Sequence, residues 1–396
     1  MPVAQQRLPR HSSSQKVKYM SRLHRLIVLS FSLGITAFAS AAGTTTEFVA
    51  GLDARISHEH EIGRFDGVIV VGSGDNIVYA KASGFANREK KIAHDVAEIW
   101  RWASVSKQVA AVLTMQQIEH NALSLDTAVS TVLPKFDGPN ASTITVRDLL
   151  RHTSGLPNPD DSAPVDKSLG AMPSFYAAPI DPLEGAVPAA ISYCAGVPKG
   201  ARGIFSYNNC DTLILQAILE NITRKSFAHL VVEQISEPLR LRSLSLAGAN
   251  FVSADAPLGY LEDGKREPEF NLATFGAAGA MTGTAADLWL FDRALMNRQL
   301  LNESSLAALW KGDPSLGYVA LGAWSFPAKL NGCDGAVRLI ERRGEIGGIQ
   351  VRNLIAPSRH AALIVFSNTA TTEFGEIWQG KGFSYDLASA AFCTAQ

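Results

Sequence analysis

The sequence is short of several things that would settle its class at once. It has four cysteines in 396 residues, Cys194, Cys210, Cys333 and Cys393. That is too few for a disulfide scaffold, and their spacing matches no zinc motif. It has little charge, 18% of residues, and a formal net charge of −1. With 46% apolar residues, disordered and collagen-like classes are excluded. No G-x-S-x-G occurs, so an α/β-hydrolase nucleophile elbow is absent. What remains is enough apolar material for one large two-lobed domain, or two domains.

The charge is unevenly placed. Of 36 basic residues, six (Arg7, Arg10, Lys16, Lys18, Arg22, Arg25) lie in 1–41, which has no acid, leaving 30 against 37 acidic residues. A mildly acidic body gives no reason to expect nucleic-acid binding. The basic stretch leads into an apolar run, Leu26 to Ala39, then Ala39-Ser40-Ala41. This pattern predicts a secretory signal over 1–41, cleaved at an A-x-A site. Met20 would start a signal of more usual length. The run is too short for a comfortable membrane span, and no cysteine stands at the cleavage site to carry a lipid. The expectation is an exported, periplasmic or secreted bacterial protein with no stable span after cleavage. An uncleaved anchor is the alternative.

Export permits disulfides, and four cysteines allow three pairings. Cys194–Cys210 with Cys333–Cys393 is preferred because the first pair closes a short loop, worth ~3 kcal/mol in the chain-entropy model. Reduced, buried thiols are the other reading.

Thr44 to Ile62 reads as a helix. Two β-rich runs, Phe65 to Val71 and Ile77 to Ala80, flank a Gly-Ser-Gly-Asp-Asn turn and read as a hairpin. Ser104 to His120 reads as a buried helix. Residues 157–203, rich in Pro, Gly, Ala and Asp, read as long loops. Helices are expected over Asp211 to Thr223, Ser226 to Ile235 and Thr284 to Asn297, the last capped by Thr284. Strands are expected at Val337 to Arg343, Ile349 to Ile355 and Ala361 to Phe366, with a closing helix over Glu373 to Phe392. The fold class is therefore α+β, an α/β sandwich: an antiparallel sheet from both chain ends, flanked by helices, with an inserted helical lobe. The catalytic domain would span 42–396, its sheet lobe about 42–100 and 335–396, its helical lobe about 104–300.

Three short constellations could carry chemistry. Ser104 and Lys107 lie three apart at a helix start, so both point to one face. A serine hydroxyl needs a base, and a lysine serves only if desolvation or neighbouring cations lower its pKa. Alone, S-x-x-K is weak; a second copy, Ser13 to Lys16, sits in the targeting segment. Ser206-Tyr207-Asn208-Asn209 places a phenol and an amide two apart, able to face one cleft; a plain turn is the bland reading. Glu341-Arg342-Arg343-Gly344-Glu345, in an expected edge strand, offers a cation that can hold a substrate carboxylate or lower the pKa of Lys107, and a glycine that lets a substrate approach the backbone. A solvated basic stretch is the bland reading. Other patterns fail. Gly375 to Lys381 mimics a P-loop but is followed by Gly382 where Ser or Thr is required. His58-Glu59-His60 fits a surface helix, and His152 reads as structural.

Taken together, in this order and spacing, the three elements resemble the serine β-lactamase and penicillin-binding-protein superfamily, nearest its class C β-lactamase-like branch. Gly84-Phe85-Ala86-Asn87, Ala103 to Gln108 and Leu123-Ser124-Leu125-Asp126 resemble family segments. The block Ile144 to Leu156 (ITVRDLLRHTSGL) is the most specific match. The resemblance runs from about Phe65 to the C-terminus. It implies a β-lactamase/transpeptidase-like fold with the site between sheet and helical lobe. It implies Ser104 as acylated nucleophile, Lys107 as proton-relay partner, Tyr207 as general base or acid, and Asn209 as contact for the substrate amide. The oxyanion hole would be the backbone N–H groups of Ser104 and Glu345. Arg342 and Gly344 would contact substrate.

Two departures stand out. The third motif, usually Lys-Thr-Gly or His-x-Gly, reads Arg342-Arg343-Gly344. Arg342 could grip a carboxylate but cannot give up its proton; strand alternation puts Arg343 on the opposite face. Arg240 stands where the family's P-L-G has glycine. The expectation is a serine hydrolase acting on a carboxylic ester, D-amino-acid peptide or β-lactam, esterase or peptidase type favoured over efficient β-lactamase. The alternative is a catalytically silent binding or regulatory protein. No cofactor or metal is implied. The partner would be a small-molecule or cell-wall-type substrate, and the oligomeric state is left open.

Overall fold

Along Gly67–Ser73 (β1) successive side chains point to opposite sides, and both sides are buried. Val68 and Val70 join one core, Ile69 and Val71 another. A sheet buried on both faces needs a layer on each, and the rest of the chain supplies them. The computed structural model describes residues 38–138, 140–164, 172–179, 185–196, 200–248 and 256–393, with side chains from Phe48 onward. The expected signal lies almost wholly outside the described residues. Residues 42–396 form one unit by their internal contacts.

The main sheet has six strands: β1, β2 (Asn76–Ser83), β3 (Trp324–Lys329), β4 (Ala336–Ile346), β5 (Ile349–Ala356) and β6 (Ala361–Ser367). Their order is β2-β1-β6-β5-β4-β3, antiparallel throughout. Val68 pairs with Phe366, so the two chain ends meet at the sheet's centre. One face is covered by α1 (Phe38–Glu61), through Phe48, Leu52 and Ile56 at four-residue spacing, and by α5 (Phe383–Cys393). The other face packs on α4 (Ala285–Met296), capped by the Thr284 side chain as expected. Beyond it lie α2 (Ser106–Glu119) and α3 (Cys210–Thr223), both in the same core.

Several expectations need correcting. The closing helix does not run from Glu373. Gly375, Gly380 and Gly382 all have positive φ, so the chain turns there and α5 begins only at Phe383. The helix after Ser226 passes through a π-turn at Val232–Ser236 and continues to Leu239. The segment 157–203 holds short helices at Pro159–Asp161, Ser174–Ala177 and Val187–Cys194. Strand β3 was not expected, because Trp324–Lys329 is short and contains Pro327. β4 is accordingly not a full edge: β3 covers it from Ala336 to Glu341 and leaves Arg342–Ile346 without a strand partner on that side.

Two disulfides link Cys194 to Cys210 and Cys333 to Cys393. Among the described residues no helix is long and apolar enough to cross a membrane.

Candidate active site

Ser104 sits in a 3-10 turn, Ala103–Val105, that leads into α2. Ala103 has φ +46°, a left-handed conformation that costs a β-carbon residue ~1–3 kcal/mol. The turn is held down on both sides. Trp102 N–H donates to the Met281 carbonyl, and its indole Nε1 to the Gly283 carbonyl. Ser106 Oγ donates to the Ala103 carbonyl and accepts from Met281 N–H. Gly344 completes the clamp. A Cβ there would lie 2.7 Å from the Trp102 carbonyl oxygen and 3.0 Å from Ser104 N, so only glycine lets β4 lie this close. The glycine thus accommodates the backbone of the Ser104 turn, a role beyond the substrate contact expected of it.

One turn on, Lys107 is buried, and its Nζ donates to three acceptors: Ser104 Oγ at 3.1 Å, Asn209 Oδ1 at 2.7 Å and the Ala278 carbonyl at 2.7 Å. Burial pushes its amine down to about 8, against the pull of Tyr207 and with the help of Arg342. Tyr207 Oη lies 2.6 Å from Ser104 Oγ. Burial raises the phenol's pKa, but the Arg342 and Lys107 charges outweigh it and the net direction is down.

Arg342 turns inward. Its side chain is buried, with Nε donating to the Ser104 carbonyl at 2.8 Å and one Nη to Tyr207 Oη at 2.7 Å. Two of its five N–H donors are thus taken by the Tyr207 phenol and the Ser104 carbonyl, and the side chain also lines the active-site cavity. Arg343 does lie on the other face, paired with Glu341 and Glu376 and stacked on Trp378.

The Ile144–Leu156 block positions Tyr207 from behind. Thr145 and Asp148 form a capping box on the helix Val146–Arg151. His152 then ends that helix at φ +56°. Its ring lies 4.6 Å from that of Tyr207, and Nδ1 is 3.2 Å from Asp211 Oδ2. Ser154 Oγ and Asn208 Nδ2 also donate to Asp211. Burial lifts the Asp211 carboxyl well above its usual range. Burial, with Arg342 and Lys107, pushes His152 well below its own. Both directions favour the neutral forms, so this is a packed polar floor, consistent with a structural His152.

These groups open onto a cavity of about 650 Å³ lined by Ser104, Tyr207, Asn209, Gly344 and Glu345. Further lining residues that the sequence did not single out are Asp160, Tyr176 and Trp324. Asp160 and Tyr176 both bond Asn209. The only local signal was the Asn158-Pro159-Asp160 turn just after the specific block. Among the described residues no acid, histidine and cysteine cluster could hold a metal.

A serine flanked by a buried lysine and a cation-bound tyrosine, between an antiparallel sheet and helices, fits the serine β-lactamase and penicillin-binding-protein superfamily. The Beta-lactamase family matches residues 52–380, and the chain belongs to that family. Bacillus subtilis PbpX, assigned by name to the penicillin-binding proteins, is 24% identical over 311 residues, 78% of this chain and 71% of PbpX. Protein flp of Staphylococcus aureus is 25% identical, but the chain spans only 46% of its length. Among solved structures, a D-stereospecific amidohydrolase from Streptomyces sp. matches at TM-score 0.69 and 21% identity, over 87% of this chain and 98% of that one. D-amino acid amidase from Ochrobactrum anthropi matches at 0.71 and 19%, with 87% and 98% coverage. EstCE1, a hydrolase with promiscuous acyltransferase activity, matches at 0.68 and 17%, with 88% and 99%. At these identities the structural matches establish the β-lactamase/transpeptidase fold.

Proposed function

We propose that the protein is an exported serine hydrolase that works through an acyl-enzyme on a carboxylic ester or a D-amino-acid amide or peptide. The observation that carries this is Ser104 Oγ held between Tyr207 Oη at 2.6 Å and Lys107 Nζ at 3.1 Å. The amidases and the hydrolase with acyltransferase activity among its structural neighbours support acyl substrates of these classes.

Lys107 faces three acceptors, which suits an ammonium and leaves no lone pair for a proton. Tyr207, flanked by two cations, is then the base. Its phenolate takes the Ser104 proton as Oγ attacks the carbonyl carbon, and the phenol returns it to the leaving group. Arg342 donates to the Tyr207 oxygen and favours its phenolate. The N–H groups of Ser104 and Glu345 are assigned to the oxyanion. Water, deprotonated by Tyr207, then releases the acid.

Intact mass of the mature protein, with and without a fluorophosphonate and a penicillin, tests this. The expected result is one fluorophosphonate adduct, absent in Ser104→Ala, on a chain beginning at Ala42. No adduct from either reagent on folded protein would overturn the hydrolase reading in favour of a silent binding protein. Adduct from penicillin alone would move the substrate to β-lactams.

A further inference from the structure

Asn209 was expected to contact the substrate amide, whose carbonyl needs an N–H. The structure leaves it none to offer. Its Oδ1 accepts from Lys107, and its Nδ2 donates to Asp160 Oδ1 at 3.1 Å and to Tyr176 Oη at 2.7 Å. A carboxamide nitrogen has two protons, and both are used. Tyr176 in turn donates its own proton to Asp160 Oδ1. The donors on this wall therefore converge on one carboxylate. Asp160 itself is exposed and lines the cavity beside Ser104, and among the described residues its Oδ2 takes a single bond, from Asn158 Nδ2 at 3.1 Å. The wall presents acceptors where the expected contact needs a donor.

We infer that Asp160 selects substrates that carry a free, protonated amino group near the scissile carbonyl, making the acyl half an unacylated amino acid. An acylated amine would turn its carbonyl oxygen toward a carboxylate with no proton to meet it, and that mismatch is costly in a confined site. An ammonium instead gains a charge-assisted bond to a carboxylate already oriented by Tyr176, Asn209 and Asn158. Lys107 and Asp160 lie at opposite ends of one carboxamide, so the ammonium would sit within a few bonds of the attacked carbon. Leu261, Phe275, Met172 and Ile346 line the same cavity and suit an apolar side chain on that amino acid.

This rests on the hydrolase reading above, and the test separates the two. Three p-nitrophenyl esters of matched size are compared at pH 6.5, below the ~7.7–8.0 of an α-amino group: D-phenylalanyl, N-acetyl-D-phenylalanyl and 3-phenylpropionyl, with L-phenylalanyl as a fourth. The expected result is a ~10–100-fold higher kcat/KM for a free-amine ester than for the acetylated and deaminated ones, as a charge-assisted bond supplies. In Asp160→Asn, checked for folding by its melting curve, that ratio collapses toward one. An enzyme whose Ser104 takes the fluorophosphonate label and which, unlabelled, hydrolyses all three acyl classes equally overturns the inference and leaves the hydrolase reading intact. So does an Asp160→Asn that slows every ester by the same factor, which would make Asp160 a support for Tyr176 and Asn209 only. If no ester turns over and Ser104 does not label, the hydrolase reading itself has failed.

Discussion

At the scale of single residues, Lys107 and Tyr207 compete for the role of base, and their protonation makes opposite predictions. Burial holds the Lys107 amine down to about 8, so at pH 7 the ammonium dominates, while Tyr207 is shifted toward its phenolate by Arg342 and that ammonium. With Tyr207 as base, the active form needs Lys107 protonated. kcat/KM for an uncharged ester such as the 3-phenylpropionyl one is then expected to rise while the phenol ionises and to fall on the alkaline side once Lys107, held down to about 8, loses its proton. With Lys107 as base, it would rise through the same range. The two groups are coupled, so the inflection belongs to the pair; the sign of the slope is what decides. A pH–rate profile from 6 to 10 measures it. Ser104, Lys107, Tyr207 and Asn209 were legible in the sequence because each sits in a short motif whose spacing survives folding. Asp160, Tyr176 and Trp324 were not. Each is one ordinary residue in a short helix or a short strand, brought to the cavity by the tertiary fold. Arg342 was legible as a cation, but that its donors turn inward to Tyr207 and Ser104 depends on where β4 lies against the nucleophile turn.

At the scale of elements, the nucleophile turn and β4 are fitted to each other through Ala103 and Gly344, and strain is tolerated where the fold fixes both ends. Arg240 is a different case. It ends the helix Glu237–Leu239 at φ +57° on the surface, with no link to the cavity. A left-handed arginine is strained, and glycine there is not, though glycine gains unfolded-state entropy. Arg240→Gly is expected to stabilise the protein by about 0.5–1 kcal/mol and leave Ser104 labelling unchanged; a lower melting temperature would refute it. The same competition between pattern and backbone explains the closing helix. Apolar residues continue through Glu373 to Phe383, but three glycines with positive φ turn the chain there first. Strands β1 and β6 read correctly because each is a nearly continuous apolar run, as a sheet buried on both faces favours; β4 and β5 carry charged and amide side chains among their β-branched and leucine residues. β3 is short and carries a proline, so its place depends on pairing with β4.

At the scale of the whole molecule, the two disulfides close loops of different size in different places, and that separates stability from function. Cys333–Cys393 spans 60 residues and ties the loop after β3 to the end of α5, on the face of the sheet away from Ser104. Cys194–Cys210 spans 16 and ties the helix Val187–Cys194 to the first residue of α3, directly after Asn209. The chain-entropy model gives ~4 kcal/mol for the longer loop and ~3 kcal/mol for the shorter. Stability alone would rank Cys333–Cys393 as the more damaging to lose. Function should rank them the other way. Asn209 holds Lys107 and Asp160 at once, and its backbone N–H is fixed by Asn158 Oδ1 at 3.1 Å. Freeing the start of α3 loosens that junction, whereas freeing the end of α5 does not reach it. The Cys333→Ser/Cys393→Ser variant is expected to melt lower but label Ser104 at the wild-type rate well below its transition. Cys194→Ser/Cys210→Ser is expected to lose less in melting temperature and to label several-fold more slowly. Melting curves and fluorophosphonate labelling rates on the two variants measure both. Equal labelling rates would mean that α3 holds Asn209 by packing alone.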